Sequence, residues 1–398
     1  MRCRGEAMSD WKQLRGRAAI AGVATFGCGE APGYTDMELL AISARQAVAD
    51  AGLKMSDIDG LCTASAGATM WAMPVIEHLG IRPTYIDSTM IGGSSFIAHL
   101  LPAMHALESG QCNAVLVCYG STQRTATFGR REVVASRKFL DPQPYETPYE
   151  PMMPLSAYAL AAARHMHQYG TTRRQLAEVA VAARQWAQKN PEAFMRDPLT
   201  IEDVLQARMV SDPLSVRDSC LVTDGGGAYV LVRADRAKDL PNKPVYVLGN
   251  GTACWNRQIS SMHDVTVTAA KDSGAAAFAM AGLAPKDIDV LALYDAFTIN
   301  VLLFLEDLGF CKKGEGGPFV ENGAIAPGGR LAVNTNGGGL SCVHPGMYGI
   351  FALIEGVRQL RGNCGERQIP GAKTALAHGN GGTLSSQATA ILGLAETL

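Results

Sequence analysis

The chain of 398 residues has no apolar run approaching the ~18 residues a bilayer-spanning helix requires, so no membrane anchor is read from it. It also has little excess of either charge. With 35 Lys and Arg against 37 Asp and Glu, the formal net charge is -2, which removes the electrostatic case for a nucleic-acid partner or an anionic membrane surface. The 10 cysteines show no Cys-x-x-Cys spacing, and no set of His, Cys and acidic residues has the spacing of a metal site. Met1 to Ala7 is too short and polar for a targeting signal, so a reduced, cytoplasmic setting is expected. No Gly-x-Gly-x-x-Gly opens a helix after a strand and no Walker loop occurs, which excludes those two routes to a bound nucleotide.

What is present points to a soluble α/β enzyme: 47% hydrophobic residues, 43 glycines and 19 prolines, in a chain too long for one ordinary core. The organisation is repetitive. Ala47 to Leu53 followed by Asp57 to Leu61 is echoed by Ala277 to Leu283 followed by Asp287 to Leu291, at a constant offset. In each copy an alanine-rich helix ends at a glycine placed to cap it, and an apolar strand follows. A second echo pairs Gly92-Gly93 and a helix from about 96 to 107 with Gly337 to Gly339 and a helix from about 347 to 360, each again followed by an apolar strand. The reading is therefore two duplicated βαβαβ halves. Residues 1-17 form an extension, 18-120 the first half, 121-218 a helical cap insertion, 219-240 the return to the first half and 241-398 the second half.

The segment from Asn334 to Gly346 carries the clearest chemical signal, because three glycines run into His344-Pro345. Glycines allow close approach to the main chain, and an imidazole beyond them is a candidate acid or base. If the strand is extended, Cys342 shares a face with His344 and is a candidate thiol beside it. Ser94 and Ser95 fall where hydroxyls usually cap a helix. Tyr348, four residues past His344, belongs either at a pocket mouth or in the core.

The duplicated core, the cap, the glycine-rich run into His344-Pro345, and Tyr294-Asp295-Ala296-Phe297 followed by Leu305 to Phe310 together resemble the thiolase superfamily. The similarity runs from Ala18 to Leu394 and is strongest to the branch of sterol-carrier-protein thiolases and thiolase-like lipid-transfer proteins, with Cys-less thiolase-like aldolases included. It implies a five-layered αβαβα fold, a CoA thioester as substrate with no permanently bound cofactor, and carbon-carbon bond chemistry beside the thioester carbonyl. It also implies a homodimer and a small zinc-ribbon/OB-fold partner protein.

In such enzymes one cysteine takes the acyl group, the histidine of the His-Pro motif activates it, and a second cysteine moves the proton. Here the position matching the nucleophile is Met90, the alternative cysteine of the sterol-carrier branch falls at Ala296, and the late cysteine falls near His378 and Gly379. The resemblance leaves His344, Tyr294, His378 and Cys342 as catalytic candidates. Gly93, Ser94, Asn336, Gly338 and Gly381 are the candidates for holding the CoA thioester, and Arg124, Arg130, Arg131, Arg137 and Lys138 for meeting its phosphates. His378, with Asn380, Gly381 and Gly382 after it, is expected to face the same cavity as His344. Three functions stay open: an acyl-CoA C-acyltransferase of the acetyl-CoA acetyltransferase type, a Cys-independent retro-aldolase on a β-hydroxyacyl-CoA, and a non-catalytic acyl-CoA or lipid-binding subunit.

Overall fold

The structure is a computed structural model that describes residues 11-127 and 144-398. Arg130, Arg131, Arg137 and Lys138 lie outside the described residues. The first half runs β1 (Ala18–Gly29), α1 (Asp36–Asp50), β2 (Gly60–Thr63), α2 (Ala72–Leu79), β3 (Tyr85–Asp87), α3 (Ser95–Ala98), α4 (Leu100–Glu108) and β4 (Ala114–Ser121). Pro102 lacks the N–H that would bond back to Ala98, and the helix expected from 96 to 107 is interrupted there into α3 and α4. After α5 (Gln123–Thr127) come the cap helices α6 (Leu155–Tyr169), α7 (Arg173–Gln188) and α8 (Ile201–Leu205), then a small ribbon, β5 (Met209–Ser211) with β6 (Leu214–Ser215). The chain returns through β7 (Asp224–Arg233) and α9 (Ala234–Ala237).

The second half repeats the order: β8 (Val245–Cys254), α10 (Ala270–Ala281), β9 (Val290–Leu293), α11 (Thr298–Asp307), α12 (Gly316–Val320), β10 (Ala332–Val333), α13 (Gly349–Arg361), β11 (Thr374–Gly381) and β12 (Ser386–Gly393). The strands form one sheet in the order β10-β9-β11-β12-β8-β1-β7-β4-β2-β3, so the two halves have matching strand orders about a central seam. That seam, between β1 and β8, consists of the pairs Ala19↔Tyr246 and Ile20↔Val245. Helix α1 packs on β1, β4 and β7, and α10 packs on β8 and β12, while α3 and α13 fill the space between the two halves of the sheet. The result is the expected five-layered αβαβα arrangement. Strands β4 and β11 are buried almost throughout, as sheets covered on both faces require.

Both halves use the same device to bring an outer helix close. A methyl at Gly226 would lie 2.4 Å from the Leu39 carbonyl oxygen, and one at Gly249 would lie 2.1 Å from that of Ala277. The glycine run entering β7 is thus a packing feature. Helix α1 is closed by a reciprocal cap, in which the Glu38 N–H donates to the Thr35 hydroxyl and the Thr35 N–H to the Glu38 carboxylate, at 3.2 and 2.8 Å. Among the described residues no helix is long and apolar enough to cross a membrane.

Candidate active site

A cavity of about 680 Å³ opens where the two halves and the cap meet. The first half contributes Met90, Gly92 and Gly93, the cap contributes Tyr158, and the segment before β7 contributes Cys220. The second half adds Tyr294, Ala296 and Phe297 after β9, His344 and Met347 before α13, and Asn380 and Gly382 after β11. The described wall carries no lysine or arginine, and Asp36 is its one carboxylate. Arg124 is off this wall, with its guanidinium paired with Glu30 and set over the Phe194 ring.

His344 is held by its backbone. Its N–H donates to the Thr223 hydroxyl at 2.9 Å, and its carbonyl accepts the Thr223 N–H at 3.3 Å, which ties the turn to the start of β7. Tyr294 meets the imidazole edge to face, with ring centroids 5.5 Å apart. The Tyr294 hydroxyl accepts the Tyr348 N–H at 3.2 Å and points its own hydrogen toward the Gly346 carbonyl, 3.4 Å away. Burial pushes this phenol well above its ordinary range, so it stays neutral and serves as a hydrogen-bond donor. Gly93 makes the position possible, since a methyl there would lie 2.3 Å from the Tyr294 ring. Gly93 therefore lines the cavity and also makes room for an aromatic ring.

Several expectations are corrected by the geometry. Residues Gly338–Cys342 form one π-helical turn, not an extended strand, so side-chain alternation does not carry Cys342 to the face of His344. Cys342 is buried off the cavity, its sulfur 3.5 Å from the Asn190 amide nitrogen, and burial pushes its thiol well above the usual range. The glycine run wraps Asp295 rather than a ligand: the carboxylate accepts the N–H groups of Gly339 and Leu340 at 2.6 and 3.3 Å, and a methyl at Gly338 would lie 2.0 Å from it. Burial raises the Asp295 carboxyl to about 7, against the lowering effect of those amides. Asn336 belongs to the same turn, its side-chain oxygen accepting from the Gly338 N–H and the Tyr348 hydroxyl. Tyr348 is core, not pocket mouth.

His378 does not face the cavity. Its Nε2 bonds to Gln387 and its Nδ1 to Thr389, both at 2.9 Å, and Phe304 covers the ring. Burial lowers this imidazole to about 3, so it is neutral. Ser94 is also withdrawn, its hydroxyl 2.7 Å from that of Ser386. Gly381 is a close-packing position, where a methyl would lie 1.9 Å from the Ile91 carbonyl oxygen. Two wall residues escape a reading of the sequence: Tyr158, a bulky side chain in the alanine-rich cap helix, and Cys220, whose N–H donates to the Ala296 carbonyl at 2.8 Å. Asn380 is also on the wall.

Comparison with known proteins agrees with this architecture. Residues 251–394 match the thiolase C-terminal domain-like family. An acetyl-CoA acetyltransferase of Methanothermobacter thermautotrophicus is 33% identical over 92% of this chain and 96% of its own. The 17-hydroxy-3-oxo-4-pregnene-20-carboxyl-CoA lyase of Mycobacterium tuberculosis is 34% identical over 88% of this chain and 92% of its own. A solved Ltp2-ChsH2(DUF35) aldolase superposes with a TM-score of 0.86 at 31% identity, covering 96% of this chain and 98% of that one. The chain belongs to the thiolase superfamily, in the branch of the sterol-carrier-protein thiolases and their aldolase relatives.

Proposed function

We infer that this protein is an enzyme that makes or breaks a carbon-carbon bond in an acyl-CoA thioester, and that it does so by an aldol route on a β-hydroxyacyl-CoA. The observation that carries the route is Met90 on the cavity wall, the residue that the resemblance matches to the nucleophilic cysteine of thiolases. A thioether cannot form an acyl-enzyme. Cys342 is buried off the cavity, where burial pushes its thiol well above the usual range.

In the cleavage direction His344 takes the proton of the β-hydroxyl and the Cα–Cβ bond breaks. The hydroxyl-bearing carbon becomes the carbonyl of an aldehyde or ketone, while the electron pair passes to Cα and onto the thioester oxygen. Tyr294, kept neutral by burial, donates a hydrogen bond to that enolate oxygen, and Cα then takes up a proton. Incubation with a panel of β-hydroxyacyl-CoAs tests the reading. Equal amounts of a carbonyl compound and a shortened acyl-CoA, formed without added free CoA, are expected. Turnover that requires free CoA and leaves an acyl adduct on the protein overturns it, as does binding without any turnover.

A second reading has one contact in its favour. Cys220 is backbone-paired with Ala296, the position of the alternative cysteine in the sterol-carrier branch, so a Claisen enzyme with a relocated thiol is the competing mechanism. Loss of turnover in Cys220→Ser would favour it. The same proposal includes a homodimer and a small zinc-ribbon/OB-fold partner. Support for the dimer is that β3 ends the sheet with Ile86 exposed, and support for the partner is the absence of cations from the described wall together with the ChsH2(DUF35) in the name of the structural relative. Sedimentation of the protein alone and co-purification from native extract test the two.

A further inference from the structure

Beside the wall that holds His344 and Tyr294, a second polar corner is built around Tyr158. The ring of Tyr158 stacks on Phe297, with centroids 4.4 Å apart, and its hydroxyl donates to the Gly382 carbonyl at 3.1 Å. Because a carbonyl only accepts, that bond fixes the polarity of everything behind it. Asn380 must present its NH₂ to the phenol oxygen, at 2.8 Å, and its own oxygen accepts the Gln387 NH₂, also at 2.8 Å. The Gln387 oxygen then takes the His378 Nε2–H at 2.9 Å, and His378 Nδ1 accepts the Thr389 hydroxyl hydrogen at 2.9 Å. The line is buried, and each link in it is a donor-acceptor pair of fixed sense, so the phenol hydrogen at its cavity end can be exchanged without disturbing the links behind it.

An independent observation marks the same corner as unfinished. Asn300, in the first turn of α11, is fully buried; its amide approaches the Tyr158 hydroxyl closely enough to favour the ionised phenol, yet neither its oxygen nor its nitrogen makes a hydrogen bond of good geometry among the described residues. A buried amide left with one distant contact at most is costly and calls for a ligand or water to complete it.

We propose that Tyr158 and Asn380, both on the cavity wall, form a subsite for an oxygen on the acyl portion of the substrate, in which Tyr158 turns its hydrogen from the Gly382 carbonyl to that oxygen, with Asn300 buried beside the phenol as a positioning residue. Gln387 and His378 act through Asn380 as positioning residues. This rests on the acyl-CoA reading of the cavity but not on which bond-forming route the enzyme follows.

The test is a pair of binding measurements on the full chain, with 3-hydroxybutyryl-CoA and butyryl-CoA as probes. The wild type is expected to prefer the hydroxylated probe by about tenfold, the worth of one good hydrogen bond. Tyr158→Phe and Asn380→Asp should each cut that preference by at least about threefold, what is left being the hydroxyl's bond to His344, while leaving butyryl-CoA affinity in place, and the double variant should do no more than either single one. Asn300→Leu should lower the preference and raise the melting temperature, since it removes an unsatisfied amide from the interior. A wild type without preference, variants that keep it, or equal loss for both probes overturns the subsite. Failure of the wild type to bind either probe overturns the acyl-CoA reading itself, and the subsite falls with it.

Discussion

His344 and His378 both belong to the second half of the duplicated fold and both stand next to glycines, yet they have opposite fates. The ring of His344 reaches the cavity while its backbone is clamped to Thr223, whereas His378 is anchored by its ring, with both nitrogens committed to Thr389 and Gln387. The contrast teaches that a histidine near a glycine turn can exchange a proton with a substrate only where it borders the cavity, and not where both ring nitrogens are spent inside the sheet. Neighbouring sequence looks similar in the two cases. Depth along the strand separates them, because Asn380, two residues past His378 on the same face of β11, is the one that reaches the wall.

The largest effect is expected from His344→Ala, which should lower kcat by roughly 10²–10⁴ on a cleavable β-hydroxyacyl-CoA while leaving the melting temperature close to that of the wild type. A large fall in melting temperature would erase the distinction from His378. Tyr294→Phe should follow with a loss of roughly 10² in kcat, as expected when one donor to a developing oxyanion is removed, and with little change in KM.

The next two predictions concern stability and have opposite signs. His378 has its folded value lowered to about 3, so its contribution is present above the ordinary value of 6.5 and is lost as pH falls through that window. The stability advantage of wild type over His378→Gln should therefore shrink by about 3 kcal/mol between pH 7 and pH 4, read from denaturant midpoints at each pH. Asp295, raised from 3.8 to about 7, behaves inversely: its contribution is full at low pH and is lost as pH rises through that interval. Asp295→Asn should accordingly lose most against wild type near pH 4 and recover toward pH 7. The smallest effect is expected for Cys342→Ala, with turnover unchanged within about twofold, because its sulfur lies away from the reacting groups. A strong loss of turnover there would return the thiol to the mechanism.

Much of the architecture was legible because a duplication repeats its own punctuation. The echoes at Gly52 and Gly282, both with positive φ, mark the same helix ends in the two halves, and His344 does reach the cavity. The less legible features share one physical cause, which is that glycine announces a close approach without naming what approaches. The run 337–339 encloses the Asp295 carboxylate, Gly93 receives Tyr294, and Gly381 receives the Ile91 carbonyl. Cys342 was misplaced for a different reason, since alternation assumes an extended chain and a π-helical turn replaces it. Tyr158 lies in a helix whose small neighbours Ala157, Ala159, Ala161 and Ala162 show that something packs closely there, but only long-range packing reveals that a cavity lies beyond the phenol.

The approach of Gly93 to Tyr294 also constrains how this site can change over evolutionary time. A methyl at 93 and the aromatic ring at 294 claim the same volume, one from each copy of the ancestral duplication. The constraint runs one way: any lineage that acquires a side chain at 93 must first, or simultaneously, give up the ring at 294. The two are an epistatic pair, and a side chain at 93 reports, across the interface between the halves, that this phenol is no longer available to the chemistry.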